Sequence, residues 1–142
     1  MATLYGTEIT ALDANPQDKV DPTRWNGRVH YYGFTWTGDA AQNDLVEVLR
    51  IPAYSRVIHG RVDFTDLGTS TTMDVGTSSD EDHWLAATDT GAAAAAVDMA
   101  HTIALYGLGS ELLTSKTSVY LKHEAANPAS GTVLGYMLIS SV

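Results

Sequence analysis

From Arg28 onward the hydrophobic pattern has a period of two. His30, Tyr32, Phe34 and Trp36 fall on one face of a run of β-favouring residues, which predicts a strand. Leu45 to Ile51 is apolar on both faces apart from Glu47 and Arg50, and Pro52 ends it as a strand entering a turn would end. In Arg56 to Thr65, Ile58, Val62 and Phe64 share a dry face, while His59, Arg61 and Asp63 share a wet one. After the turn signal Gly68-Thr69-Ser70, Thr71, Met73 and Val75 alternate with Thr72 and Asp74 up to Gly76, a further short strand.

The next segment breaks the pattern. Ser78 and Ser79 precede Glu81 and Asp82 at the spacing of a capping box, and Trp84, Leu85 and Ala86 follow, so a short helix is predicted there. Ala92 to Ala96 is helical by propensity, but five alanines behind Thr90 and Gly91 are too few to nucleate an isolated helix. Beyond them Val97, Met99, His101, Ile103 and Leu105 share one face and Asp98, Ala100, Thr102, Ala104 and Tyr106 the other, which predicts a strand closed by Gly107 and Gly109. Glu111 to Lys116, Ser118 to Glu124 and Thr132 to Val142 read as further strands, with Ala125 to Gly131 as the last turn. About eight strands at intervals of about ten residues predict an all-β domain over 28–142, a jelly-roll or related antiparallel β-sandwich. An α/β fold needs helical crossovers, and only Ala92 to Ala104 has the composition for one.

Residues 1–27 show no sustained period and carry Pro16, Pro22, Asn15, Asn26, Gly6 and Gly27, which predicts an extended N-terminal arm. Leu4, Tyr5, Ile9, Leu12 and Trp25 are more apolar side chains than a solvated tail needs. They are the expected partner-binding anchors of the arm.

Composition narrows the function. The chain has 142 residues, enough for one domain with a core of its own, and no cysteine, which excludes disulfides, thiol nucleophiles and Cys-ligated metals. With 8 Lys and Arg against 17 Asp and Glu the net charge is −9, which argues against a nucleic-acid partner. The longest apolar stretch, Val133 to Ile139, is far short of the roughly 18 residues of a spanning helix, and Met1 to Glu8 have neither a basic start nor an apolar run. A soluble, unexported chain with no membrane partner is expected. Residues 62–115 hold nine acidic groups and no Lys or Arg. This suggests a two-faced protein with acidic loops on one side and Lys19, Arg24, Arg28, Arg50, Arg56 and Arg61 nearer a partner.

Motifs of chemistry are missing. Asp80-Glu81-Asp82-His83 offers oxygen ligands, but counting from Asp80 puts Leu85 and Gly91 where an EF-hand needs glycine and glutamate. These acidic residues read instead as favourable charges at the start of the short helix. His30, His59, His83, His101 and His123 include no pair at helical metal-site spacing, and His101 reads as a core or interface histidine. Gly107-Leu108-Gly109-Ser110-Glu111 has its serine one place late for a hydrolase elbow, and Leu112 stands where a dinucleotide fingerprint needs its third glycine. No catalytic residue, metal site or cofactor is expected. Trp25, Trp36, Trp84 and seven tyrosines leave a carbohydrate- or receptor-binding module as an alternative.

Three stretches carry a family resemblance: Leu45 to Ile58 (LVEVLRIPAYSRVI), Asp74 to Asp89 (DVGTSSDEDHWLAATD), and Thr117 to Ile139 with its ending SGTVLGYMLI. A strand leading to a Pro-Ala turn, a Val-Gly segment before an acidic loop with an aromatic, and a closing Gly-Thr-Val strand resemble the decoration (cement, or head-stabilising) proteins of tailed bacteriophages. The resemblance covers about residues 28–142. It implies a non-enzymatic virion protein, made in the host bacterial cytoplasm, that binds the major capsid protein on the outer capsid surface. It also implies a homotrimer near threefold positions that clamps adjacent capsomers.

Overall fold

A computed structural model describes residues 28–37, 40–91, 94–99, 111–128 and 131–141. They form eight strands: β1 (Arg28–Thr37), β2 (Leu45–Ile51), β3 (Ser55–Phe64), β4 (Thr72–Gly76), β5 (Leu85–Asp89), β6 (Ala95–Asp98), β7 (Thr117–Glu124) and β8 (Thr132–Ser141). Two four-stranded antiparallel sheets result, in the orders β1-β8-β3-β6 and β2-β7-β4-β5. The pairings are nested: β1 with β8, β2 with β7, β3 with β6 and β4 with β5. The chain therefore behaves as one long hairpin of paired strands, and rolling it up adds β3 to β8 and β4 to β7. That is the strand order of a jelly roll.

The inner faces of the two sheets share one core. The first sheet gives Phe34, Val57, Val62, Phe64, Val133, Met137 and Ile139, and the second gives Leu49, Ile51, Met73, Val75, Val119 and Leu121. Leu67 and Trp84 close it from the loops. Alternation carries these residues inward on every long strand. Gly135 is the exception on β8: it faces Phe34 across the ladder, and a Cβ there would collide with the Phe34 ring.

Four expectations are corrected. Ile58 does not share a face with Val62 and Phe64; the β3–β8 register shifts between Val57 and His59, so Val57 enters the core and Ile58 is 41% exposed. A bulge reverses the alternation at one point and leaves the rest intact. The expected helix after Ser78 is a tight turn. Thr77 Oγ1 accepts the Asp80 N–H at 3.0 Å, and the Trp84 N–H returns to the Val75 carbonyl at 2.9 Å, which commits the chain to β5. A hydroxyl that bonds its own local backbone competes with helix formation. Glu111 to Lys116 is not a strand: Leu113 makes one isolated bridge to Ser55, and the chain turns at Ser115, whose carbonyl accepts the Thr117 hydroxyl. Of the strand expected over 97–106 the described residues show β6, which starts at Ala95, two residues earlier than expected, and reaches Asp98; residues 100–106, His101 among them, lie outside the described residues.

Candidate interaction surface

The outer face of the first sheet is set by register. Tyr31, Leu138 and His59 lie in one cross-strand row; Gly33, Tyr136, Arg61 and Asp98 lie in the next; Thr35, Leu134, Asp63 and Ala96 lie in a third. The rows between them carry Met137, Phe34 and Val62 into the core, so these three rows point outward. The Tyr31 and Tyr136 rings stack with centroids 5.2 Å apart, and His59 tilts against Tyr136 at 5.7 Å. Gly33 makes room for this: a side chain there would meet the Tyr31 ring, which lies over bare backbone. The result is a shallow depression between Tyr31, Thr35, Leu134, Tyr136, Arg61 and Asp63.

Of the exposed large apolar side chains among the described residues, all but Tyr54 and Leu45 lie on or beside this face. Tyr31 is 68% exposed, Val29 58% and Leu134 50%, and Ile58 adds to them at the β3 bulge. Arg61 does not charge the face, because it donates to Asp98 at 3.0 Å and to Asp63 at 3.3 Å. Those carboxylates, Asp98 foremost, hold its guanidinium in the charged form. The face thus combines stacked, exposed aromatic and aliphatic side chains with one paired ion cluster of net charge −1, a mixture of the kind contact surfaces have.

The outer face of the second sheet is ionic. Arg50 forks onto Glu47 at 2.7 and 3.0 Å and lowers its carboxyl to about 2. Lys122 bridges Glu124 and Glu81, which raise its pKa. Asp74 is buried, and desolvation raises its pKa although the Ala87 N–H donates to it. The acidic stretch 62–115 is thus interleaved with cations from outside it: Arg61 takes Asp63 and Asp98, and Lys122 takes Glu81. Of the basic side expected from Lys19, Arg24, Arg28, Arg50, Arg56 and Arg61, Arg50 and Arg61 are paired with neighbouring carboxylates and Arg56 is buried, while Lys19 and Arg24 lie outside the described residues.

Asp80 and His83 face one another, but not as metal ligands. His83 Nδ1 meets Asp80 at 2.7 Å and Nε2 meets Glu111 at 2.6 Å, tying the β4–β5 turn to the segment before β7. Among the described residues no group of three or more acidic, His or Cys side chains is arranged to hold a metal ion. Burial pushes the His83 pKa down, but the hydrogen bonds to Asp80 and Glu111 outweigh it and the net shift is upward. A histidine with a raised pKa adds stability that is complete below its unfolded pKa near 6.5 and is lost as pH rises through the folded value. Denaturant titration of His83→Gln should therefore show a stability deficit in mildly acid solution that shrinks above neutral pH. A deficit independent of pH would mean that the ring acts only by packing.

The arm anchors Leu4, Tyr5, Ile9, Leu12 and Trp25 lie outside the described residues. Neither remaining tryptophan is an open stacking platform: Trp84 is 1% exposed, and Trp36 is half-buried with its ring against His123. Sequence reasoning missed Tyr31, Leu134 and Tyr136. Their signal was the second apolar face of Val133 to Ile139, which a strand with one dry side does not need.

No family model matches the chain, and no curated protein matches it. Among solved structures, a chain in the capsid of Ralstonia phage GP4 superposes with a TM-score of 0.66 at 21% identity, over 82% of this chain and 86% of that one. A chain of the cyanophage Pam1 capsid asymmetric unit gives a TM-score of 0.58 at 20% identity, again over 82% and 86% of the two chains. The shared feature is the fold, and it extends over most of both partners.

Proposed function

We propose that the chain is a non-enzymatic structural protein of a phage virion, which binds the outside of the capsid and stabilises the expanded shell by clamping neighbouring capsomers. The observation that carries this reading is the jelly roll shared with chains of two phage capsids over more than four fifths of each. The aromatic, partly apolar outer face of the first sheet and the ion-paired outer face of the second suit a protein with one side on a shell and the other toward solvent. The major capsid protein is the partner, residues 1–27 are the arm that grips it, and a homotrimer is the unit that binds.

The mechanism needs no chemistry. Each copy makes contacts that exist only in the expanded shell, so its binding free energy stabilises that shell by mass action, summed over many sites. A cryo-EM map of the parent particle should show many copies of this jelly roll around threefold positions of the outer shell. Density confined to the tail or portal vertex would replace decoration with a junction role, and none on the virion would overturn both.

A further inference from the structure

His123 lies on β7 with its side chain fully buried, and among the described residues neither ring nitrogen has a hydrogen-bond partner. Buried polar groups are nearly always paired, so an imidazole with two orphaned nitrogens needs a reason. Register sets it beside Met73 of β4, and its ring packs on Trp36 of β1 across the sandwich, with centroids 4.9 Å apart at 35°. It is therefore a contact through which the two sheets meet.

Among the described residues no charge compensates it. On its own strand Lys122 and Glu124 point to the outer face and pair there. On β4 Asp74 is in register with Lys122, on that same outer face, and accepts the Ala87 N–H. Before β2, Asp44 caps its own turn by accepting the Ala41 N–H, and the Asn43 N–H reaches only the His123 backbone carbonyl. From the opposite sheet, Trp36 is flanked in register by Val133, itself opposite Phe64 of β3. Burial alone acts on the imidazole, and it disfavours the charged form.

We propose that His123 is an acid-triggered release point: neutral, it is a packing residue between the sheets, and protonated, it forces β1 away from β7. A proton on the ring puts a full positive charge among apolar side chains with no acceptor among the described residues, a penalty relieved by letting water in. The element that yields is β1, an edge strand held in the ladder by β8 alone among the described residues. β1 carries Val29 and Tyr31 of the aromatic face and joins the sandwich to residues 1–27. Loosening it makes any grip through that face or that arm acid-sensitive, whichever partner is held.

The sign is fixed by proton binding. The unfolded chain takes up the proton near the ordinary value of 6.5 and the folded chain resists it, so this contribution to stability is intact above that pH and falls below it. Each pH unit in that window lowers the folding constant by up to about tenfold through this one residue. His83 acts in the opposite direction, so the wild-type profile must be compared with a His123 variant.

The full chain, labelled at its histidines, is followed by NMR from about pH 8 to about pH 4.5. His123 should stay neutral while the fold persists, and its protonation should coincide with loss of the native β1 amide signals. In parallel, the unfolding constants of wild type and His123→Phe are compared at about pH 7.5 and about pH 5.5, with wild type expected to lose several-fold, and up to about tenfold, more. Protonation of His123 with β1 signals unchanged, or parallel stability loss in both proteins, would overturn the proposal. If His123→Phe does not fold, the wild-type titration decides alone.

Discussion

Replacing Trp84 by alanine is expected to lower stability by about 3–5 kcal/mol, the range for truncating a buried aromatic. The side chain is 1% exposed and sits in the shared core, although it belongs to the turn and not to a strand. Its backbone N–H bonds the Val75 carbonyl, and its ring meets the edge of His83 at 4.8 Å and 89°. His83 is in turn tied to Asp80 and Glu111, and the turn is pinned by the Thr77 and Asp80 hydrogen bonds. So many fixed points leave the backbone little freedom to collapse into the void, which places the loss toward the upper end of that range. Thermal unfolding followed by circular dichroism should show the midpoint falling by on the order of 10–15 °C. An unchanged midpoint would place the indole at the surface and revive the carbohydrate-binding alternative.

What the sequence made legible follows from which forces are periodic. β1, β7 and β8 declare themselves because each buries one face, and a dry face repeats every second residue, while β2 and β4 are marked by their apolar content and the turns that bound them. The errors fall where a single residue breaks the repeat or where a local signal competes with tertiary structure. One bulge at Val57 and His59 turned Ile58 outward, and no composition marks it. Ser78 to Asp82 has the spacing of a helix start, but Trp84 is pulled into the core and the Val75 carbonyl claims its amide. β5 was hidden in consequence: of its five residues only Leu85 is buried, so it has no alternation to read.

The charge pattern shows a second limit. Nine acidic groups in a stretch without Lys or Arg look segregated along the chain. In a rolled hairpin, residues far apart in sequence become neighbours, and Arg61 and Lys122 arrive beside carboxylates 37 and 41 residues away. The candidate face was invisible for the same reason. Tyr31 comes from β1 and Tyr136 from β8, and only antiparallel pairing brings their rings within 5.2 Å. Leu134 and Tyr136 were readable as a surplus of apolar residues on β8, but nothing in the sequence says which side of β8 faces the core.

Removing residues 1–27 is expected to leave the sandwich folded and to weaken attachment to capsids by at least about a hundredfold, the equivalent of losing roughly 3 kcal/mol of binding. Among the described residues the two sheets pack through Phe34 and the residues after it, and β1 is held by its ten-residue ladder with β8. Far-UV circular dichroism and the melting midpoint should therefore change little. The arm offers Leu4, Tyr5, Ile9, Leu12 and Trp25, and burying even two such side chains on a partner contributes about 3–6 kcal/mol before ordering costs. Co-sedimentation of the full and truncated chains with expanded, undecorated heads measures the difference. Equal affinity would move the attachment to the aromatic face around Tyr31 and Leu134, where Leu134→Asp would then abolish it. A truncated chain that fails to fold would instead make the first 27 residues part of the sandwich and erase the boundary at Arg28.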